Sequence, residues 1–313
     1  MMTTQLSDDM RGIEQRFKKE IEPYRTDLWH YCHRLTRSQW DAEDLVQDTL
    51  FKSLAMLAKM HQPVKMKSYL FKIASNLWID RYRRNPYIVE VLEEELQPDH
   101  TSAIDLELMD HLEFLIQHLT PHQYVSLLLA ESFRFKAGEI AGMISTTEGA
   151  VYTNLTRARS VLRKVKGGQI KSTPVLDLVP NATLHTLLTG FRNKDPELIA
   201  SVLSENVTVN IVHAGIEMGR DEAKGNSLND WKEVVDTQHQ IVVEYKMLWG
   251  KQVVVEMEKK PDGDLYLNNL HLIETVGEEI THWAFYCFSW DLMKQAAEEL
   301  QLKLNATCFY HIF

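Results

Sequence analysis

The sequence predicts a multi-domain chain, with two all-α domains followed by an α+β domain, and three observations predict it. Residues 41–50 (DAEDLVQDTL) and 70–84 (LFKIASNLWIDRYRR) carry apolar positions at three-to-four spacing, which winds into amphipathic helices. Residues 135–144 (FKAGEIAGMI) and 147–164 (TEGAVYTNLTRARSVLRK) read as a short helix and a longer one, separated by a turn. From residue 206 onward the pattern changes to β-type runs divided by turn signals. At 313 residues the chain is longer than two small helical domains require, which leaves room for the third.

In the first helix Ala42, Leu45, Val46, Thr49, Leu50, Ser53, Leu54 and Leu57 form one inward stripe. Asp41, Asp44, Gln47 and Asp48 project from the opposite face. Such an acidic face suits a protein partner or plain solvent equally well. In the second helix Leu70, Ile73, Ala74 and Leu77 form the inner stripe, with Trp78 beside it. Residues 65–84 hold Lys65, Lys67, Lys72, Arg81, Arg83 and Arg84 against Asp80, a net of +5. Cations interleaved with Tyr69, Phe71, Trp78 and Tyr82 suit a single nucleic-acid strand, because charges hold phosphates while rings stack on unpaired bases. The plain alternative is a helix with a cationic last turn and ordinary core aromatics.

In the helix pair, Ser145 and Glu148 have capping-box spacing. Val151, Leu155, Ala158 and Leu162 face inward, which leaves Glu148, Tyr152, Thr153, Thr156 and Arg157 outside. In a helix-turn-helix the first helix braces and the second enters the major groove by its N-terminal residues. Any αα-hairpin shares the pattern.

Together these residues resemble the extracytoplasmic-function sigma factors of bacterial RNA polymerase. DAEDLVQDTL resembles the core-binding helix of sigma region two. YLFKIASNLWIDRYRR resembles the segment that melts the promoter and reads its minus-ten element, with Asn76, Asp80, Arg81 and Arg84 at matching places. GEIAGMISTTEGAVYTNLTRARSVL resembles the helix-turn-helix of region four through Glu139-Ile140-Ala141 and Arg157-Ala158-Arg159. Tyr152 and Asn154 stand where the family has basic residues.

The resemblance implies partners and roles. Asp41, Asp44, Gln47 and Asp48 would meet the core polymerase, at the coiled coil of its large subunit. Lys65, Lys67, Tyr69, Asn76, Trp78, Arg81, Arg83 and Arg84 would serve promoter melting and the minus-ten element. Glu148, Tyr152, Thr153, Thr156 and Arg157 would read the upstream element. The implied division is region two at 1–86, an acidic linker at 87–103, region four at 104–168, a second linker at 169–180 and a third domain at 181–313.

Charge is distributed to match. The formal net charge is −10, yet residues 172–313 carry all of it, with 11 Lys and Arg against 21 Asp and Glu. Residues 85–113 contain nine acids and no Lys or Arg, whereas residues 148–171 carry six bases against one acid. Local basic patches rather than the total decide contact with nucleic acid. The acidic stretch is expected to be a soluble tether or a nucleic-acid mimic. The start, MMTTQLSDDM, has no apolar core and no apolar run reaches spanning length, so a cytoplasmic protein without a membrane partner is expected. Cys32, Cys287 and Cys308 are scattered and odd in number, which suits buried thiols in a reducing compartment.

Residues 166–180 (KGGQIKSTPVLDLVP) read as a linker. Helices are expected over 182–193 and 196–203, and strands over 206–213, 241–248, 252–258, 265–274 and 280–288. Trp249-Gly250-Lys251 and Pro261-Asp262-Gly263-Asp264 are expected hairpin turns. Helices followed by strands give an α+β domain with a curved antiparallel sheet. FRNKDPELIASVLSENVTV and Gly219-Arg220-Asp221 resemble the SnoaL-like, nuclear-transport-factor-like cone fold, and the YCF segment, a helix over 290–300 and an aromatic tail resemble the extension on sigma factors fused to it.

A cone fold encloses a pocket, so His213, His271, His282 and Asp221 are candidate acid–base groups and Trp283 a candidate lining residue. None has a spacing that demands chemistry, so no catalytic residue, cofactor or metal is expected, while the pocket leaves room for a small-molecule ligand. His118 and His122 lie four apart, but Thr120-Pro121 breaks the helix between them, which disfavours a metal pair. The expected function is promoter-specific initiation modulated by the C-terminal domain. The alternatives are a small-molecule isomerase or hydrolase fused to a vestigial sigma part, and a ligand-sensing DNA-binding repressor.

Overall fold

The computed structural model describes residues 19–57, 65–84, 112–164 and 175–305. The chain divides into two compact units, Met1–Lys171 and Ser172–Phe313. The acidic tether at 87–103, Cys308 and the aromatic tail lie outside the described residues. No described helix is long and apolar enough to cross a membrane.

In the first unit the described helices are α1 (Arg25–Thr36), α2 (Gln39–Leu57), α3 (Met66–Arg84), α4 (Leu112–His118), α5 (Pro121–Glu131), α6 (Ala137–Met143) and α7 (Glu148–Lys164). Trp40, Ala42, Leu45, Val46 and Leu50 bury the inner face of α2. The polar residues among them are satisfied locally: Thr49 Oγ1 donates to the Leu45 carbonyl at 2.7 Å, and buried Glu43 accepts from Trp29 Nε1 at 2.9 Å. Thr120 caps α5 with Pro121 at its first position, so His118 and His122 fall on different helices.

Helices from either side of residues 87–103 pack into one unit. Phe71 of α3 stacks on Tyr31 of α1 at 4.5 Å and meets Phe133 and Phe135, which follow α5, at 4.9 and 5.4 Å. Trp78 sits 5.3 Å from Tyr82 and 5.5 Å from Tyr124 of α5. The Tyr124 hydroxyl donates to the Arg34 carbonyl at 2.6 Å. Each such aromatic pair adds about 0.5–1.5 kcal/mol beyond the area it buries. The cause lies in α3, which is apolar on two sides: its buried residues include Leu70, Phe71, Ala74, Trp78, Ile79 and Tyr82. The inner stripe is therefore shifted from the expected one, for Ile73 and Leu77 remain half-buried.

The second unit is an α+β domain. Its sheet runs in the order β1-β4-β5-β6-β7-β2-β3, with β8 alongside β6. The strands are β1 (Leu176–Asp177), β2 (Leu203–Ile211), β3 (Gly215–Met218), β4 (Gln240–Leu248), β5 (Lys251–Lys259), β6 (Leu265–Val276), β7 (Glu279–Phe285) and β8 (Lys303–Leu304). The helices are α8 (Ala182–Asn193), α9 (Pro196–Ala200), α10 (Arg220–Ala223), α11 (Asn229–Asp236) and α12 (Trp290–Glu299). Leu184, Leu187 and Phe191 of α8 and Trp231 and Val235 of α11 share one core with Val207, Val243, Val254 and Trp283 of the sheet. Gly190 is required where α8 meets α9, since a Cβ there would stand 2.6 Å from Ile199 Cγ1.

The β4–β5 hairpin turns on Trp249 and Gly250 at φ 48° and 76°, the left-handed pair of a type I′ turn. Three expectations are corrected. The sheet is not wholly antiparallel, because β2 pairs with β7 and β6 with β8 in parallel. The linker placed at 169–180 contains β1, whose Leu176 pairs with Met247 and gives the edge of β4 a hydrogen-bonding partner. Strand β3 and helices α10 and α11 were unassigned in the sequence.

Candidate functional site

On α2, Asp41, Asp44 and Asp48 are exposed and Gln47 is half-buried, all on the face opposite the core stripe. On α3, Arg83 and Arg84 are exposed at the last turn. The two faces meet in an ion pair between Arg81 and Asp48, each about half-exposed. Lys67 pairs with Asp27 of α1 at 2.6 Å, and exposed Lys65 lies 3.7 Å from Glu139 of α6. Several of the cations assigned to phosphates are thus held by carboxylates here. Exposed pairs contribute little, about 0–1 kcal/mol, so a polyanion exchanges with them readily.

Tyr69 and Asn76 are half-buried, and burial pushes the Tyr69 phenol pKa up. Trp78 departs from its expected place. It is 6% exposed and packs against Tyr82 and Tyr124, so its ring belongs to the core of this arrangement. Phe71 and Tyr82 are buried as well. The aromatic alternation that suits base stacking also suits a helix buried on two sides, and here packing takes the rings.

Helix α7 keeps the expected faces. Val151, Leu155, Ala158 and Leu162 are buried, Glu148, Tyr152, Thr153 and Arg157 are exposed, and Thr156 is half-buried. The cap is corrected: Thr147 Oγ1 accepts from Ala150 N at 3.2 Å, while Ser145 takes φ 55° in the turn. Arg159 Nε donates at 2.9 Å to Glu131 of α5, which ties α7 to α5.

The C-terminal unit holds a cavity of about 760 Å³. Ile211, Ile216, Trp231, Val235, Phe285 and Phe288 give it an apolar wall, and Glu217, Glu222, Asp230 and Glu256 bring four carboxylates to it. No Lys, Arg or His lines it among the described residues. Glu217 Oε1 accepts from Ser227 N at 3.2 Å, whereas Glu217 Oε2 is buried and has no hydrogen-bond partner. Burial raises the Glu217 pKa; hydrogen bonds from Ser227 oppose that rise, and the nearby charges of Glu222 and Asp230 add to it. Glu256 is fully engaged. It accepts from Trp231 Nε1 at 3.1 Å and lies 3.0 Å from His271 Nε2, whose Nδ1 accepts from Trp283 Nε1 at 3.1 Å. Trp donates only, so Nδ1 bears no proton and Nε2–H points at Glu256.

The candidate acid–base groups do not converge. His271 is fully buried in that chain of bonds, His213 sits at the turn after β2, His282 is exposed, and none of these or Asp221 lines the cavity. Trp283 is core, not lining. Burial raises the thiols of Cys32 and Cys287, the latter to about 12. The sequence reading missed Glu217, Asp230 and Trp231. The spacing of Leu228, Trp231 and Val235 was the available signal for their helix.

Residues 21–86 match the family model of sigma-70 region 2. The chain is 31% identical over 189 residues to the ECF RNA polymerase sigma factor SigG of Mycobacterium tuberculosis, covering 51% of this chain and 50% of SigG. The chain thus spans half the length of that relative. It is 21% identical over 180 residues to SigW of Bacillus subtilis, covering 52% of this chain and 96% of SigW. Among solved structures, the sigma factor RpoE in complex with the anti-sigma factor NepR from Bartonella quintana aligns with a TM-score of 0.38 and 25% identity, over 48% of this chain and 96% of that one. Mycobacterium tuberculosis SigJ aligns with a TM-score of 0.33 and 17% identity, over 85% of this chain and 95% of that one.

Proposed function

We propose that this chain, a relative of the extracytoplasmic-function sigma factors with a sigma-70 region 2 domain at residues 21–86, binds RNA polymerase core and directs promoter-specific transcription initiation. The observation that carries the reading is the region 2 match laid on α1–α3, where one face bears Asp41, Asp44, Gln47 and Asp48 and the adjoining helix ends in Arg81, Arg83 and Arg84. In this reading the acidic face of α2 docks on the coiled coil of the large polymerase subunit. Lys65, Lys67, Tyr69, Asn76 and the α3 arginines hold the melted strand, and α7 presents Glu148, Tyr152, Thr153, Thr156 and Arg157 to the upstream element. Regions two and four correspond to 1–86 and 104–168, joined by the 87–103 tether. The protein acts in the cytoplasm beside the polymerase, carries no chemistry of its own, and its C-terminal unit modulates initiation.

Run-off transcription tests this. Core polymerase of the source bacterium, added with this chain to fragmented genomic DNA, is expected to give discrete transcripts that core alone does not. A chain ending at Gly168 is expected to change their yield. Absence of chain-dependent transcripts overturns the initiation reading, and equal yield from both chains overturns the modulatory one.

One substitution checks the placement of α7. Arg157 is exposed and its helix is held from behind by Arg159 and Glu131, so Arg157→Ala leaves the fold intact. On a cognate promoter it is expected to weaken upstream nuclease protection by about 1–3 kcal/mol if Arg157 reads a base, or to lower the salt dependence by roughly one ion if it holds a phosphate. Unchanged protection and unchanged salt dependence would show that α7 does not enter the groove.

A further inference from the structure

The C-terminal cavity has a chemical bias that initiation does not explain. A site of about 760 Å³ falls in the size range of small-molecule pockets. Its wall is apolar and aromatic, yet its polar groups are of one sign, with Glu217, Glu222 and Asp230 near one another and no cation among the described lining residues. Glu222 is partly engaged, since its Oε2 accepts from Met218 N at 2.8 Å. Glu217 is different. It is only 9% exposed, lines the cavity, and keeps Oε2 without a donor. A buried acceptor left unpaired is destabilising, and more so when charged, unless a ligand supplies the missing partner. Two further carboxylates beside it add to that demand for positive charge.

We propose that this cavity binds a small organic cation, with an ammonium group at Glu217 Oε2 and an apolar body against Trp231, Val235 and Phe285. An ammonium supplies the donor that Oε2 lacks and offsets the charge of Glu222 and Asp230. The Trp231 indole N–H is already committed to Glu256, so its ring is left to meet the ligand by its surface, which attracts cations. A bare metal ion fits less well. Among the described residues no three His, Cys, Asp or Glu side chains converge to hold one, and an apolar wall does nothing for it. Ile216 and Val234, both more than half exposed, line the same cavity and offer an apolar rim to an entering ligand.

The test reads binding to the full chain by isothermal titration calorimetry at neutral pH, and it stands whether or not the polymerase reading does. Three probes share one skeleton and differ in charge: phenethylammonium, 2-phenylethanol and phenylacetate. Phenethylammonium is expected to bind about 10-fold or more tighter than 2-phenylethanol, and phenylacetate is expected not to bind. Glu217→Gln keeps the shape and removes the charge. It is expected to weaken the ammonium about 10-fold while leaving the alcohol unchanged. Should that variant fail to fold, Asp230→Asn on α11 gives the same reading at about 3-fold. Equal affinity for the amine and the alcohol, undiminished amine binding in the folded variant, or no heat from any probe up to ~10 mM would overturn the proposal.

Discussion

Glu256→Ala is expected to destabilise the C-terminal unit by about 3 kcal/mol or more, the largest effect of any single substitution considered. The carboxylate is buried on β5 and accepts from Trp231 Nε1 at 3.1 Å, with His271 Nε2 at 3.0 Å. Alanine strands both donors, and each unpaired buried donor costs about 1–3 kcal/mol. The damage also reaches the next bond, since His271 is oriented by Trp283 on one side and Glu256 on the other. Glutamine is expected to rescue only in part. Its amide oxygen serves one donor, and its NH₂ then faces the other, while His271 cannot change tautomer without opposing the Trp283 N–H. Urea denaturation of the full chain followed by tryptophan fluorescence measures this. A loss below about 1 kcal/mol for alanine, or full rescue by glutamine, would show that the network is dispensable.

The second large effect belongs to the face proposed to meet the polymerase. The Asp44→Ala, Asp48→Ala double variant is expected to lose about 2–5 kcal/mol of affinity for core, because truncating charged groups that become buried at an interface leaves their partners unpaired. Both residues are exposed on α2 and turned away from its core stripe, so folding is expected to be unaffected. Asp48 also pairs with Arg81, and the control follows from that. Arg81→Ala breaks the same pair from the other side and is expected to leave core affinity nearly unchanged while weakening the hold on DNA. Competition for core against a labelled sigma factor reads both. Equal losses from the two variants would mean that the pair matters for the shape of the helix hairpin rather than for docking.

Much of this architecture is legible in the sequence where one physical rule acts alone. Helix α8 is read over the residues it occupies because a single apolar face, an Asn181 cap and a following Asp195-Pro196 start all agree. The Trp249-Gly250 hairpin is legible through Gly250 alone, whose φ of 76° is one that glycine adopts freely, while Trp249 takes φ 48° beside it. The stripe of α7 is legible because only one of its sides is covered. Misreadings fall where two rules compete. On α3 the aromatic residues suit both base stacking and a core closed on two sides, and sequence periodicity does not say that α5 and the segment after it lie opposite. Between Gly215 and Asp236 the sequence offers the Gly219-Arg220-Asp221 match but no legible element, because β3 is short and α10 and α11 are separated by a π-helical turn over Lys224–Leu228, which breaks the apolar period. The cavity was expected from the fold resemblance, but Glu217, Glu222 and Asp230, which give it character, lie in that same stretch without an assigned element.

The parallel pairing of β2 with β7 has a consequence for the order in which the protein is made. Leu203 lies opposite Ile280 and Ile211 opposite Phe285, so the inner edge of β2 has no ladder until residues 280–285, some seventy positions later, have been made. Before then β2 holds only its hairpin with β3. The helical unit, by contrast, is complete in sequence by Lys171. Synthesis proceeds at about 5–20 residues per second, so the helical unit is available for several seconds before its companion closes. During that interval the nascent protein presents α2 and α7 while β2 still lacks its partner β7.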